Sequence, residues 1–594
     1  LTNTLEEAKE FPLIETIMPA LAHEAEAANR VKRMAPITVV VGNPPYSRVS
    51  LNQGDFILNL IKTYKEPVSD ELNQQPLNDD YIKFLRLVQH LQEKMPYAII
   101  GMITNHTLLS GILFRGVRQI LAADYKQGHF VDLHGNSNIQ EQTPDGGSDE
   151  NVFDISAGVA ITFLVKTQTP KSTYQHSDAW GTREQKYDLL NRSDIYTIDS
   201  ERLNPKPIYY FFTPKDFALQ PEFDCFHPVN KIFPLFSSGL MTVRDNLAIA
   251  YQIDELRARF EMFRNSEISD EEFQALLPVK DYRNWSLSTA RSRVRADNKW
   301  SDNLQVVNYR PFDKRYVYYS PDVVTYPNYR VMDQFLSPNL GLITSRINKG
   351  EKHAHEFVTR EMTEIIFLSS KSSNNAFVFP LYVYAAQHEK AFGATERAVP
   401  NFSDAFIDEI SERLGLSFVP EGAGDDVTSF TPEDIFGYAY SVFHSPTYRD
   451  RYKEFLKIEF PRLPLTTNAK LFRKLSALGS ELVALHLLEG ADVPQDWNLI
   501  TDGSTLFEMA EVTAGFPKYD DCKVFINKTA WFDGVAEEVW NFHIGGYQVC
   551  HKWLKDRKGR TLSPEDIAHY GKITVALRET IRLMAEIDEV IDAH

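Results

Sequence analysis

VVVGNPPYSRVS, residues 39–50, runs an apolar β-branched segment directly into Gly42-Asn43-Pro44-Pro45-Tyr46. A short continuous apolar run bounded by turn residues reads as a strand of a parallel sheet covered on both faces. Asn43 then stands at the carboxyl end of that strand, where open α/β sheets place their ligands in the crevice between strand-end loops. Two successive prolines fix their own φ angles and donate no N–H. The Asn43 amide oxygen and the nearby carbonyls are thereby held as acceptors beside the Tyr46 ring. Such a set suits a planar group presenting an exocyclic amine, as when a base taken out of a duplex is read by hydrogen bonds and stacking. A tight turn is the competing reading of Pro-Pro-Tyr alone.

The flanking sequence continues an α/β rhythm. Residues 78–95, NDDYIKFLRLVQHLQEKM, place Tyr81, Phe84, Leu85, Val88 and Leu91 at helical spacing, with Asn78 or Asp79 as the cap. YAIIGMIT then reads as a strand, NHTLLSG opens a further segment, and FVDLHGNSN (130–138) and VAITFLVK (159–166) read as two more strands. This is the βαβ order of a doubly wound, Rossmann-like sheet. QEQTPDGGSDEN is a polar loop over the same crevice. Beyond Lys166 short aromatic-rich runs, PIYYFF, VVNYRPFDKRYVYYS and AFVFPLYVY, read as twisted β structure. From about Pro432 helical patterns return and continue almost to the terminus. PEGAGDDVTSFTPED, near residue 425, reads as a flexible connection.

A chain of 594 residues exceeds one core and predicts about three to five domains or subdomains. With 43% apolar and 12% aromatic residues it predicts a folded protein. Cys225, Cys522 and Cys550 lie far apart without paired spacing, which fits a reducing cytosol and excludes a cysteine zinc site. The sequence contains neither a membrane-length apolar run nor a secretory leader, so a cytoplasmic protein is expected. The net charge of −18 argues against a generally basic surface, although only the local field at a groove matters for nucleic acid. Arg291, Arg293, Arg295 and Lys299 form one basic cluster, and Lys552, Lys555, Arg557, Lys558 and Arg560 another; a solvated face is the competing reading of each.

At NPPY the sequence resembles S-adenosylmethionine-dependent methyltransferases that modify the exocyclic amine of adenine in DNA. Together with LTNTLEE, DDYIKF, ITNHTLLSG, FRGVRQIL, VDLHGNS, DENVFDISAGVAITFLVK, YRPFDKRYVYY and HSPTYRDRYKEFLKIEFPRLPL, it resembles the carboxyl-terminal part of single-polypeptide type I (type ISP) restriction-modification enzymes over nearly its whole length. The resemblance implies that the Asn43 side chain and the Pro44 carbonyl accept from the adenine amine, that Pro45 completes the motif, and that Tyr46 stacks on the base. It implies that Phe153 closes the other face of the base, with a core role as its alternative. Asp79, Asp80 and Tyr81 match the segment lining the catalytic pocket near the cofactor, with a helix cap as the alternative. No metal ion is called for.

The same resemblance implies three parts: a methyltransferase catalytic domain over 1–229, its amino-terminal cofactor half apparently absent, a β-rich target-recognition part over 230–425, and a helical part over 426–594. The glycine-rich S-adenosylmethionine loop and the ribose-gripping carboxylate are expected upstream of Leu1, since nothing before Asn43 substitutes for them. GxxxxGK[ST] and a nuclease motif are absent as well. Expected partners are double-stranded DNA and an upstream methyltransferase, nuclease or helicase segment, in the same polypeptide or a separate subunit. Base-reading and phosphate-holding side chains are expected at Arg244, Arg291, Arg293, Arg295, Lys299, Arg346 and Lys349, in SGLMTVRDN, RSRVRADNKW and SRINKGEKH. The rival readings are a methyltransferase for protein glutamine or RNA guanine, and a DNA-specificity subunit without catalysis of its own.

Overall fold

In the computed structural model the stretch that opens the sequence becomes strand β1 (Val39–Gly42), which follows helix α1 (Pro19–Met34). The structure describes residues 4–7, 19–47, 49–71, 73–139, 141–348, 352–369, 374–384, 398–422, 424–425, 427–494, 497–501 and 511–593. It divides into two compact units, Leu1–Asp216 and Phe217–His594. The first division thus falls before residue 229. Among the described residues no helix is long and apolar enough to cross a membrane.

In the first unit β1 leads through α2 (Asp55–Lys65) and α3 (Asp80–Leu91) to β2 (Ala98–Asn105), which pairs with β1 in parallel. Helix α4 (Arg115–Asp124) precedes β3 (Gln127–Asp132). There follow β4 (Val159–Lys166), β5 (Thr173–Asp178), α5 (Arg183–Arg192) and β6 (Glu201–Leu203), in the sheet order β1-β2-β4-β3-β5-β6. Strand β4 lies between β2 and β3 and is antiparallel to both, so the sheet is mixed rather than wholly parallel. The chain returns from β3 to β4 as a long hairpin with no crossover helix, and a hairpin return must reverse strand direction.

One face of this sheet is packed throughout. Tyr81, Leu85 and Val88 of α3 and Val117 and Leu121 of α4 bury against Ile100, Met102, Phe130 and Leu164. Each such side chain contributes about 1.5–3 kcal/mol on burial. The opposite face holds only a small cluster, Val131, Leu133, Val152, Val159 and Ala179, with Leu189 and Leu190 of α5 against it. At the β1 edge that face is bare: Val39 is 57% exposed, Val41 80% and Ile99 40%. The expectation of a strand covered on both faces is therefore corrected. β1 is an edge strand bonded to β2 alone, and no layer among the described residues lies over Val39 and Val41.

The second unit contains α6 (Leu287–Ala296), the antiparallel pair β7 (Leu304–Arg310) and β8 (Asp313–Tyr318), and the antiparallel pair β9 (Gly341–Ser345) and β10 (Ala376–Pro380). Helices α7 (Pro432–His444), α8 (Ala469–His486) and α9 (Pro564–Asp592) follow. Gly437 and Gly479 let α7 and α8 cross in backbone contact, because a Cβ at Gly479 would collide with the Gly437 carbonyl. The expected boundary at 425 does not separate two cores: one continuous apolar cluster runs from Phe223 to Val590. The last part is not purely helical either, since a four-stranded sheet occupies segments between Leu499 and Phe532. PIYYFF, expected as β structure, contains no strand, and its Phe212 packs into the first unit's core.

Candidate functional site

Asn43 follows β1 directly and its side chain is exposed, whereas Pro44 beneath it is buried and Pro45 is exposed. Tyr46 turns inward and is half-buried. Its ring meets Tyr81 at 5.6 Å between centroids, tilted by 54°, and packs against both apolar clusters of the unit. The Tyr46 hydroxyl is buried without a hydrogen-bond partner. Burial first, and the Asp79 carboxylate second, hold that phenol far above its ordinary range, so it is neutral.

Asp79 and Asp80 are buried at the start of α3. Asp79 occupies the N-cap position but its side chain makes no capping bond; it accepts the Ser47 backbone N–H at 2.8 Å instead. The helix-cap alternative is thereby corrected: the carboxylate holds the strand-end loop. Asp80 accepts from Ser50 Oγ at 2.5 Å and from the Asn52 amide at 3.0 Å, and Lys83 donates to Ser50 Oγ at 2.8 Å. Ser47, Ser50 and Asn52 are thus tied to the first turn of α3, which fixes the Asn43–Tyr46 segment from behind.

Phe153 arrives from the β3–β4 connection. Its backbone N–H donates to Asn151 Oδ1 at 2.9 Å, and the Asn151 amide donates to Gly135 O and Ala157 O at 3.0 and 2.7 Å. The Phe153 ring is half-buried against the same small cluster that Tyr46 touches. Two aromatic rings distant in sequence therefore share one apolar floor beside an exposed amide.

The basic residues of the second unit separate into two kinds. Arg291 is fully buried, pairs with Asp270 at 2.5 Å and donates to the carbonyls of Phe263, Asn265 and Ile268. Arg244 is buried 3.8 Å over the Trp285 ring and donates to Val323 O at 3.1 Å. Both are enclosed in the fold, which corrects their assignment as nucleic-acid contacts: the Arg291 donors are spent on Asp270 and three backbone oxygens, and Arg244 Nη1 on Thr242 O, Val323 O and Thr325 Oγ1. Arg295 is half-buried, donating to Arg264 O at 3.0 Å. Arg293 and Lys299 are exposed, Arg293 beside Asp322 at 3.1 Å. Arg346 is half-buried, and Lys349 lies outside the described residues. In the second cluster Arg557 is buried against Asp313, while Lys555, Lys558 and Arg560 are exposed.

The chain thus joins an α/β unit whose first strand ends in Asn-Pro-Pro-Tyr to a larger mixed unit. Residues 231–586 match the Type ISP C-terminal specificity domain, and residues 2–139 match the Eco57I restriction-modification methylase. The first match spans more than half of the chain, and the chain belongs to that Type ISP family. No curated protein matches it. Among solved structures, the ATP-dependent Type ISP restriction-modification enzyme LlaBIII bound to DNA aligns with a TM-score of 0.71 at 19% identity, over 96% of this chain and 38% of that one. The DrdV–DNA complex aligns at 0.72 and 20% identity, over 95% and 58%. A nuclease-deletion mutant of the Type ISP enzyme LlaGI with a DNA substrate mimic aligns at 0.69 and 19% identity, over 99% and 47%. The chain thus spans 38–58% of the length of these structures.

Proposed function

We propose that this chain is the catalytic-motif and target-recognition portion of a site-specific DNA adenine-N6 methyltransferase, acting with S-adenosylmethionine on an adenine flipped out of duplex DNA. The observation that carries this reading is the meeting of Tyr46 and Phe153 on one apolar cluster beside the exposed Asn43 amide. A flipped base has two apolar faces and one hydrogen-bonding edge, and this site offers two rings and an acceptor. The Asn43 Oδ1 and Pro44 carbonyl accept the amine hydrogens, which localises the nitrogen lone pair for in-line attack on the sulfonium methyl. The amine nitrogen forms the new bond to carbon, the sulfur departs with its bonding pair as a neutral thioether, and the amine then loses one proton. The Tyr46 phenol stays neutral and contributes its ring.

The bare β1 edge supports the further reading that the cofactor site is completed by another segment laid over Val39, Val41 and Ile99, within one polypeptide or in a second subunit. An exposed apolar strand edge of this kind is a template for further pairing. The second unit then reads the duplex, with Arg293 and Lys299 as exposed cations toward phosphate. A glutamine or RNA-guanine substrate would leave this large recognition unit without a role.

The decisive experiment transfers labelled methyl from S-adenosylmethionine to duplex DNA, with this chain alone and with the complete enzyme, followed by nucleoside digestion. Label in N6-methyladenine, dependent on the complete enzyme, is expected. Label in protein, RNA or cytosine, or none in the complete enzyme, overturns the assignment.

A further inference from the structure

Strands β1, β2, β3 and β5 all run in one direction, since β1 pairs with β2 and β3 with β5 in parallel, and β4 is antiparallel to both β2 and β3. Their carboxyl ends therefore lie along one edge of the sheet. Asn43 follows β1, His106 follows β2, Asp132 ends β3 with His134 just after it, and Asp178 ends β5. Two histidines and several carboxylates so meet beside the candidate methyl-transfer site, with no part in the chemistry described above.

One ligand atom each from His106, Asp132 and His134 lies within 4.8 Å of the other two. His106 Nδ1 is 3.3 Å, and His134 Nδ1 3.7 Å, from the same Asp132 oxygen. Metal–ligand bonds of about 2.0–2.2 Å at tetrahedral angles put neighbouring ligand atoms about 3.3–3.5 Å apart. The outer nitrogen of the His134 ring is held as a metal-bound imidazole holds its own, on a carboxylate that fixes tautomer and orientation. His134 Nε2 is 2.8 Å from Asp178, which also meets His176 Nε2 at 3.1 Å, and His106 Nε2 is 3.1 Å from the Asn136 amide. The rings are also sterically locked. His134 stacks on Trp180 at 3.3 Å between centroids, and a Cβ at Gly158 would come within 2.6 Å of the His106 ring. Glu141 stands at the side, one carboxylate oxygen 3.0 Å from His134 Nδ1 and the other accepting the Asn136 N–H at 2.9 Å.

We propose that His106, Asp132 and His134 form a binding site for a divalent transition-metal ion of the zinc class, with Glu141 or a water molecule at the remaining position. Two imidazole nitrogens and one carboxylate oxygen suit zinc and its neighbours rather than magnesium or calcium, which take oxygen ligands. The side chains are enclosed, with exposures of 12%, 8% and 9%. The ion clamps the end of β2 to the loop leaving β3. That loop is bonded through Asn151 to the Phe153 segment, so the ion also steadies one wall of the candidate base pocket.

The test is zinc titration by calorimetry on this chain in a Cys225→Ser/Cys522→Ser background, because those two exposed thiols would bind zinc on their own. Saturable binding of about one ion, tighter than ~1 μM, is expected, together with the visible absorption of a four-coordinate site after Co2+ substitution. His106→Gln should abolish both with an unchanged circular dichroism spectrum. If His106→Gln does not fold, the wild-type stoichiometry and Co2+ spectrum decide alone. Fewer than about 0.1 ions per chain after dialysis against zinc, or binding that survives His106→Gln, leaves a hydrogen-bonded network only and overturns the site.

Discussion

The Asp79 carboxylate accepts the backbone N–H of Ser47 at 2.8 Å, so the first turn of a helix holds the loop that carries Asn43 to Tyr46. A buried carboxylate at an N-cap position ordinarily bonds its own helix, and here it bonds the loop in front instead. Asp79→Ala should lower methyl transfer in the complete enzyme by misplacing Asn43, and should lose about 1.5–3 kcal/mol of stability through the lost charged hydrogen bond. Asp79→Asn keeps an acceptor and should lie between the two. Kinetics and thermal denaturation of both variants check this, and an unimpaired Asp79→Ala enzyme would show that the loop is held without it.

Asn43→Ala should abolish methyl transfer in the complete enzyme and leave DNA affinity unchanged, because in the proposed function the amide meets the extruded base and not the duplex. Removing an acceptor aimed at the reacting amine costs on the order of 3 kcal/mol or more of barrier. Single-turnover rates beside electrophoretic mobility shifts separate the two effects. Full activity would remove Asn43 from the chemistry.

For Tyr46 the unpartnered hydroxyl sharpens the expectation. Tyr46→Phe should retain activity and raise stability by up to about 1 kcal/mol, since a buried donor without an acceptor is a cost. Tyr46→Ala should lose stacking of about 1–3 kcal/mol toward the base. Equal loss in both variants would assign the role to the hydroxyl.

Much of the first unit was legible in local sequence, and its limits are physical. VAITFLVK and YAIIGMIT announce β4 and β2 because both strands are interior and their apolar runs have partners on each side. The same logic misjudged β1, since apolar composition records what a face requires and not whether a layer lies over it. His106 in ITNHTLL and His134 in VDLHGNS each follow a strand end, a readable signal that cysteine spacing does not carry. Arg291, Arg293 and Arg295 looked like one cluster, yet on a helix residues four apart share a face and the one between them points away. Leu287 and Val294 mark the buried side of α6, which takes Arg291 inward and leaves Arg293 outside.

The two arginines of α6 should therefore behave oppositely. Arg291→Ala leaves the Asp270 carboxylate and the Phe263 and Ile268 carbonyls without this donor and should destabilise the second unit by about 3–5 kcal/mol. Arg293→Ala removes an exposed ion pair and should cost about 0–1 kcal/mol of stability. If Arg293 meets phosphate, its loss should weaken DNA binding evenly across sequences and reduce the salt dependence by about one counterion. Chemical denaturation and salt-titrated binding read these separately. A soluble, stable Arg291→Ala chain with selectively weakened DNA binding would restore the reading of a surface cluster.

The last prediction concerns acid stability and rests on a buried charged group in the second unit. Glu356 is enclosed, bonded to Arg449 at 2.9 Å and to His353 at 2.6 Å. Burial raises its carboxyl, but the charges of His353 and Arg449 outweigh burial and leave it well below the usual range. His444 is packed nearby, its Nδ1 2.8 Å from Tyr440 O, and burial first and Arg449 second push its pKa down from 6.5 to about 3. His486 faces it at 5.3 Å between ring centroids and is also held far below its usual value by burial. A histidine depressed in the folded state is protonated more readily in the unfolded chain, so stability falls as the pH drops from 6.5 toward 3. Glu356 acts in the same direction, since its stabilisation is complete above the ordinary carboxyl value of 4.5 and is lost as the pH falls through its depressed folded value. Each fully developed group contributes a slope of up to about 1.4 kcal/mol per pH unit. The urea midpoint of the second unit should therefore begin to fall below pH 6.5 and steepen below 4.5. His444→Gln should flatten the upper part of that curve and leave the lower part intact. A midpoint that stays level between pH 7 and 4 would mean that these histidines take up protons in the folded state as readily as in the unfolded chain, and would overturn the enclosure argument.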